Sequence, residues 1–567
     1  YVSWKEYFET HPEYFTMNDK GERIHGPAMH SEGQLCLSNP AVAQIMLEKL
    51  RGFIKKDRET LPPERWPMIY DISQNDNFGY ICKCPTCSEI TKREGSESAL
   101  TLTCINEVAR QIRKEYPEII IQTFAYVSTE TAPKTLRPEP NVLMRWCDLY
   151  SRSDCYRPIT SSFNAERKKQ LDGWKAVGAN IALWDYWNMG ILKGPYFNPP
   201  RVETMVDAIA GDIRYYREAG VKSFFTESET HIHANPQNFI DLQIWLGYQL
   251  LDDPDQNEEE LIQTYMQGHY GPAAKPMIAF LTDLRKAVAD VKHPMFYVSF
   301  SGNKRPYQTP EFFDRIMGYL REARDLTPAG SPWRLRVEKE MITPIAVMLN
   351  NPKFITAKDV RKVKKELVAE YETLRTRQVE AYCNSRQAVQ FKKVIASDLE
   401  GLKYELPTPE RFKNVPEGKI LKFGYPVFKE WVQDPESTTG RAIVSPDAKA
   451  YLHNMDKKGP ASLFPTWFGV YDSESKRSLQ FRTPSVPTDE KYHWYDVGKF
   501  DFGQTTIAWG FFWILSVDLR DVWTNADGLP GYNTWNVHIS AKFTGPVYVP
   551  GSTKKNAVWI DQVVLTK

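Results

Sequence analysis

From Ser38 to about Glu229 the chain alternates amphipathic helical stretches with short apolar runs, and no other feature restricts its fold as much. Helix and strand in regular alternation give a parallel sheet whose strands are joined by crossover helices. The first helix opens at Ser38-Asn39-Pro40, a cap followed by proline in the first turn, and carries Val42, Ile45, Met46 and Leu50 to Phe53. The strand Pro67 to Ile72 follows. A second helix runs from about Ser98 through Leu102, Ile105, Val108, Ala109 and Ile112 before Pro117, and leads to the strand Ile119 to Tyr126. Val142 to Cys147 comes next, then a helix around Ala165 to Ala176 and the strand Asn180 to Tyr186. A helix through Val202, Met205, Val206, Ile209, Ile213 and Tyr216, stopped by Gly220, precedes the fifth strand, Val221 to Thr226.

Five units do not close a barrel. They fit the fourth to eighth strands of a (β/α)8 TIM-type barrel truncated at its N-terminal strands, with the first three lying before Tyr1. The chain starts at Tyr1 with no initiator Met and no signal-like segment, and so is expected to be a processed or truncated product. The competing arrangement is an open doubly wound sheet. No Gly-x-Gly-x-x-Gly opens a helix after a strand, so a dinucleotide site has no support.

Beyond Asn235 the pattern is helical: Phe239 to Leu251, Glu258 to Gly268, Ala273 to Val291, Pro310 to Leu326, Pro332 to Leu349 and Ala357 to Ala388. Pro407-Thr408-Pro409 marks a boundary, and after it come short aromatic strands punctuated by Pro, Gly, Asn and Asp, with 8 of the 16 Trp between Trp431 and Trp559. The expected organisation is a β/α barrel catalytic region over 1–234, a helical appendage over 235–405 and a C-terminal β-sandwich over 406–567, the last a candidate carbohydrate-binding module. Such a division suits the length of 567 residues, too long for a single core.

With 72 basic against 71 acidic side chains and no Lys/Arg block, nucleic acid is not an expected partner. No run of 18 apolar residues is present, so no membrane span is expected. Aromatic residues make up 13% of the chain, a surplus suited to a core or to stacking on sugars.

Catalytic residues of parallel β/α folds come from the carboxyl ends of strands. Asp76 sits at such an end, in Tyr70-Asp71-Ile72-Ser73-Gln74-Asn75-Asp76-Asn77, and Cys82-Lys83-Cys84-Pro85-Thr86-Cys87 follows at once. An acid beside a loop rich enough in cysteine to be cross-linked reads as a site wall, although Asn-Asp-Asn also suits a turn held by its own side chains.

His11-Pro12-Glu13-Tyr14-Phe15, Leu35-Cys36-Leu37-Ser38-Asn39-Pro40, Asn75-Asp76 with the Cys-x-Cys-x-x-Cys, and Ile105-Asn106-Glu107-Val108-Ala109 together resemble a family of bacterial polysaccharide-utilisation proteins. That family was long catalogued only as a domain of unknown function, and some members are placed in glycoside hydrolase family 163. The likeness spans roughly Tyr1 to Gly271. It implies a (β/α)8 catalytic barrel, usually preceded by a small α/β domain, and an endo-β-N-acetylglucosaminidase activity on complex N-glycans. The implied partner is a glycan or glycoprotein, and the implied address an exported bacterial protein of the periplasm or cell surface. No cofactor is required for such chemistry.

Glycoside hydrolysis uses one carboxyl group to protonate the leaving oxygen and a second group to manage the anomeric carbon. Asp76 and Glu227, at the ends of the first and last of the five strands, face one rim and form the expected catalytic pair, with Glu229 two residues on. A 2-acetamido sugar can supply its own carbonyl oxygen as nucleophile, in which case Asp76 suits either role of the pair. The expected substrate-binding groups are Asn75, Tyr126, Arg145, Trp146, Trp184, Asp185, Tyr186, Trp187 and Glu229. Alternation on the strand Ile181 to Asn188 puts Trp184 and Tyr186 on one face and Asp185 and Trp187 on the other, and one face should line the pocket. The bland alternatives are core packing for the aromatics and a solvated loop or helix cap for Glu227 and Glu229. His231 and His233 form too slight a pattern to assign.

Cys36, Cys82, Cys84 and Cys87 suit a structural zinc site, one or two disulfides, or free thiols. In either bonded case the cysteines would fix the loop beside Asp76. Catalytic zinc is not expected, because no His-x-x-x-His pair accompanies them.

Overall fold

The computed structural model describes residues 1–567 apart from 27–32, 78–80, 150–152, 189–199, 229–236, 297–304, 352–353, 358–359, 404–405, 417–418, 424–431, 434–440, 443–466, 473–476, 483–490, 502–504, 511, 519–533 and 545–556. The chain divides into two units, Tyr1–Tyr307 with Tyr319–Glu340, and Gln308–Gly318 with Met341–Lys567.

The first unit begins with one helical turn, α1 (Trp4–Tyr7), followed by α2 (Pro40–Thr60), β1 (Ile69–Asp71), α3 (Pro85–Glu94), α4 (Ser98–Glu115), β2 (Ile120–Ala125) and β3 (Val142–Cys147). It continues with α5 (Ala165–Ala176), β4 (Asn180–Asn188), α6 (Val206–Glu218) and β5 (Ser223–Ser228), and then α7 (Ile240–Asp252), α8 (Glu258–Tyr270) and α9 (Ala274–Ala289). The strands form one five-stranded sheet in the order β1-β2-β3-β4-β5, every pairing parallel. The sheet curls like half of a barrel. All five expected strands are present and, as expected of five units, they leave the ring open: among the described residues β1 pairs only with β2, and β5 only with β4.

Sequence pattern explains the packing. Asn39 caps α2 by accepting from the Ala41 amide, and Val42, Met46, Leu47, Leu50 and Ile54 then fall on one buried face. That face meets Leu102, Ile105, Val108, Ala109 and Ile112 of α4 and the outer residues of the strands, among them Ile121, Met144, Trp146, Ile181 and Leu183. Each such side chain, fully withdrawn from water, contributes roughly 1.5–3 kcal/mol. The helices therefore cover one face of the sheet. The alternate residues face inward, and at its two ends that inner face meets solvent: Ile69 is 47% exposed and Phe225 42%.

The start of α7 is fixed by a buried carboxylate. Glu340 accepts hydrogen bonds from the Asn238 side chain at 2.8 Å, the Phe239 amide at 2.9 Å and the Tyr270 hydroxyl at 3.1 Å. Those bonds hold Phe239 at φ 55°, a left-handed conformation at the N-cap. The next two helices, α10 (Pro310–Asp325) and α11 (Pro332–Asn350), are where the division between the units falls.

The second unit contains α12 (Val360–Tyr382) and α13 (Ser385–Lys403), so the single helix expected over Ala357 to Ala388 is interrupted at Cys383 and Asn384. Among the described residues ten strands follow, all within antiparallel pairings: β6 (Ile420–Phe423), β7 (Val432–Gln433), β8 (Arg441–Ala442), β9 (Trp467–Asp472), β10 (Arg477–Arg482), β11 (His493–Asp501), β12 (Thr505–Gly510), β13 (Phe512–Asp518), β14 (Thr534–Thr544) and β15 (Ala557–Thr566). They make two four-stranded sheets, β10-β9-β12-β13 and β11-β14-β15-β6, and the short pair β7-β8.

Candidate active site

The inner face of the parallel sheet collects its polar and aromatic groups by parity. Register pairs Phe124 with Arg145, Arg145 with Ala182, Trp184 with Phe225, and Tyr186 with Glu227, so all of these lie on the face opposite the helices. Trp184 is the centre of the aromatic floor. Its ring meets Phe124 at 5.6 Å, Phe225 at 4.5 Å and Tyr186 at 6.4 Å between centroids, and the Arg145 guanidinium stands 5.7 Å from it.

Asp76 reaches this face from the segment that leaves β1. The Tyr126 hydroxyl donates to Asp76 Oδ1 at 3.0 Å, which ties the acid to the carboxyl end of β2. Two glutamines hold the segment. Gln34 donates to the Asn75 carbonyl at 2.9 Å and to Asn77 Oδ1 at 2.8 Å while accepting from the Asn75 amide at 3.0 Å. Gln74 donates to the Tyr126 carbonyl at 3.2 Å and accepts from Thr129 Oγ1 at 2.9 Å. The turn after Tyr126 is strained: Val127, a β-branched residue, sits at φ 55°. Such a conformation costs on the order of 1–3 kcal/mol and persists only where surrounding bonds over-determine it.

Glu227 is half-buried near the end of β5. Burial pushes its carboxyl above the ordinary range, and the charge of Asp76 pushes the same way. The Trp184 indole N–H opposes them, lying toward Glu227 without closing a hydrogen bond. The two acids are thus electrostatic neighbours across the aromatic floor. The arrangement can present one carboxyl group inclined to keep its proton and a second held by a tyrosine, beside rings on which a sugar can stack.

Of the residues expected at the site from sequence, Asp76, Tyr126, Arg145, Trp184, Tyr186 and Glu227 come together on the inner face or its rim. Trp146 does not: it is fully buried in the core under the helices, with the Arg167 guanidinium 4.5 Å from its ring. Asp185 and Trp187 also lie on the helix side of β4. There the Trp187 indole donates to Asp185 Oδ2 at 3.0 Å, and burial together with the Asp148 charge pushes the Asp185 carboxyl up to about 7. Successive residues of a strand point to opposite faces, so neighbours such as Arg145 and Trp146 are not expected to serve one pocket together. Asn75 is exposed on the loop, its amide donating to the Gly33 carbonyl at 3.3 Å. Glu229, His231 and His233 lie outside the described residues.

Phe124, Phe225, Gln34 and Gln74 were absent from the sequence-derived set. The first two carry the parity of Trp184 on adjoining strands, a signal open to reading. Gln34 had none, because its partners lie 41 and 43 residues away.

Beside this site the Sγ atoms of Cys36, Cys82, Cys84 and Cys87 converge to within 4.8 Å of one another, and all four residues are buried.

Comparison with known proteins bears on the first unit most directly. Residues 1–283 match the family model described as a domain of unknown function, DUF4838. No curated protein matches the chain. Among solved structures, a family 89 glycoside hydrolase from Clostridium perfringens in complex with GlcNAc-alpha-1,4-galactose is similar at 12% identity and a TM-score of 0.36, over 65% of this chain and 42% of that one. The family 89 enzyme of the same organism in complex with 2-acetamido-1,2-dideoxynojirmycin is similar at 10% identity and a TM-score of 0.37, again over 65% and 42%. The chain therefore spans less than half the length of either.

Proposed function

We propose that the region matching DUF4838 is a glycoside hydrolase that cleaves glycans containing N-acetylglucosamine, with Glu227 and Asp76 as its catalytic pair. The observation that carries this reading is the pair itself: two carboxyl groups in electrostatic contact at one rim of a parallel sheet, one raised, flanking a floor built on Trp184. In this reading Glu227 protonates the glycosidic oxygen. The 2-acetamido carbonyl oxygen of the substrate attacks the anomeric carbon, and Asp76, oriented by Tyr126, positions and stabilises that amide. Glu227 then accepts a proton from the water that opens the cyclic intermediate, which gives net retention. Arg145 and the rings of Trp184 and Tyr186 would hold the sugars.

The finer reading is an endo-β-N-acetylglucosaminidase of the glycoside hydrolase family 163 type, acting on N-glycans outside the bacterial cytoplasm, with the C-terminal strands forming a sandwich that binds carbohydrate. It rests on the motifs around Cys36, Asp76 and Asn106. Exo-acting hexosaminidases or uronidases on the same face, and a glycan-binding protein without catalysis, are the alternatives.

Incubation with a glycoprotein bearing complex N-glycans tests this, with released glycans identified by mass spectrometry for wild type, Asp76→Asn and Glu227→Gln. Intact glycan should be released by wild type and fall by about 10²–10⁴-fold in each variant. Release that survives both substitutions removes these residues from the chemistry. Release of single terminal sugars favours exo action, and binding without release favours the non-catalytic alternative.

A further inference from the structure

Four cysteines from two distant stretches of sequence gather at one point, Cys36 ahead of α2 and Cys82, Cys84 and Cys87 at the start of α3. We propose that they bind one Zn²⁺ ion as a closed four-thiolate site, and that this site anchors the Gln34 stretch that holds the segment carrying Asp76.

The spacing of the sulfurs supports the metal. Zinc bonds thiolate sulfur at about 2.3 Å in a tetrahedron, which sets the sulfurs roughly 3.8 Å apart. Cys36 Sγ lies 3.7 Å from Cys84 Sγ and 3.8 Å from Cys87 Sγ. Disulfides would draw sulfurs together in exclusive pairs, whereas here one sulfur sits at nearly equal distance from two others, and all four fall within 4.8 Å.

The surroundings match thiolates as well. The Met17 amide donates to Cys82 Sγ at 3.3 Å, and Arg23 Nη1 donates to the same sulfur at 3.7 Å. Ser38 Oγ lies 3.0 Å from Cys87 Sγ and 3.6 Å from Cys36 Sγ. Donors directed at sulfur stabilise the anionic ligands of a metal site, and the Arg23 charge offsets part of the net negative charge of four thiolates around one dication. Cys84 is the N-cap of α3 and Cys87 lies in its first turn, where the helix dipole favours thiolate. An apolar shell of Ile81, Leu100, Met17, Leu37 and Ile90 keeps water out. With four protein ligands and no open position, the role is structural.

The link to Asp76 is short. Cys36 is two residues from Gln34, whose side chain holds both Asn75 and Asn77, and Cys82 is six residues from Asp76 on the other side. The metal would thus pin both strands of chain that bracket the acid.

The test uses the full chain, purified without chelator and dialysed against metal-free buffer. Elemental analysis should give about one zinc per chain, and cobalt substitution should produce the intense thiolate charge-transfer bands of a tetrahedral sulfur site. Denatured with chelator and without reductant, all 8 cysteines should be alkylated. Cys104→Ser, which alters a buried cysteine outside the cluster, should keep its zinc. Cys84→Ser should lose it, and if that variant does not fold, chelator-induced lowering of the wild-type Tm gives the same answer. Zinc below about one-tenth per chain with four or six alkylated cysteines assigns disulfides instead and overturns the proposal. A stoichiometric iron content, or metal-free protein with 8 free thiols and a Tm indifferent to chelator, overturns it equally.

Discussion

Glu227 owes its raised carboxyl first to burial and then to the charge of Asp76. Neutralising that neighbour should therefore lower the pH at which Glu227 loses its proton. The sign follows from linkage: a like charge disfavours ionisation, so its removal favours the carboxylate. In Asp76→Asn the descending, alkaline limb of the pH profile for residual glycan release should move to lower pH. A limb that stays in place would mean that the two carboxyl groups do not sense each other. At this scale strand parity was legible in the sequence, and Trp184 and Tyr186 do share one face of β4. The expected set kept residues of both faces, Arg145 with Trp146 and Tyr186 with Asp185, because alternation separates the two faces of a strand without saying which of them the helices cover.

Among the elements, α7 shows how closely the helical layer is fitted to the sheet. Gly247 lies where a Cβ would meet the Trp187 ring at 2.1 Å, so this helix approaches β4 across a gap that only glycine fits. Gly268, on the exposed side of α8, has nothing within 4 Å of the same position. Gly247→Ala should cost about 1–3 kcal/mol or more through overpacking, whereas Gly268→Ala should gain about 0.5–1 kcal/mol of helix propensity. Thermal denaturation of the two variants should thus shift Tm in opposite directions, and a neutral Gly247→Ala would show that α7 can move off the strand. The five strands were legible because their apolar runs are bounded by Pro, Gly and polar residues. The helix α3 was not read, although Pro85 at its first position and Gly95 at its left-handed C-cap are ordinary start and stop signals, because the cysteines around Pro85 suggested a loop.

For the molecule as a whole, the buried acids on the helix side of β4 set a direction for its pH dependence. Asp185 is pushed up to about 7 by burial and by Asp148, and Asp212 is raised well above its ordinary value by burial and by Asp185. A carboxyl group whose pKa is raised on folding holds a proton that the unfolded chain has already released, so stability falls as pH rises. The window opens near the ordinary value of 3.8 and closes near 7 for Asp185, with a span on the order of a few kcal/mol. The urea midpoint should fall between pH 5 and pH 8, and Asp185→Asn should flatten that slope. A midpoint that rises over the same range would show these acids to be ionised in the folded protein. At this scale the sequence was least informative. Alternation foretold a parallel sheet of five strands, too few to close a barrel, and the sheet has that open order, β1-β2-β3-β4-β5; what alternation does not carry is the pairing within the C-terminal sheets, which is a long-range property.

The left-handed turn at Val127 has a consequence for any ligand that meets Tyr126 and Asp76. A side chain carried on a relaxed loop must be immobilised when a ligand arrives, and that ordering is subtracted from the affinity. Here Gln74 and Thr129 hold the Tyr126 backbone and Gln34 holds the residues on either side of Asp76, so the ordering is imposed in the folded chain and Tyr126 is preorganised. An incoming ligand would meet a finished surface, and more of its contact energy would remain for discrimination.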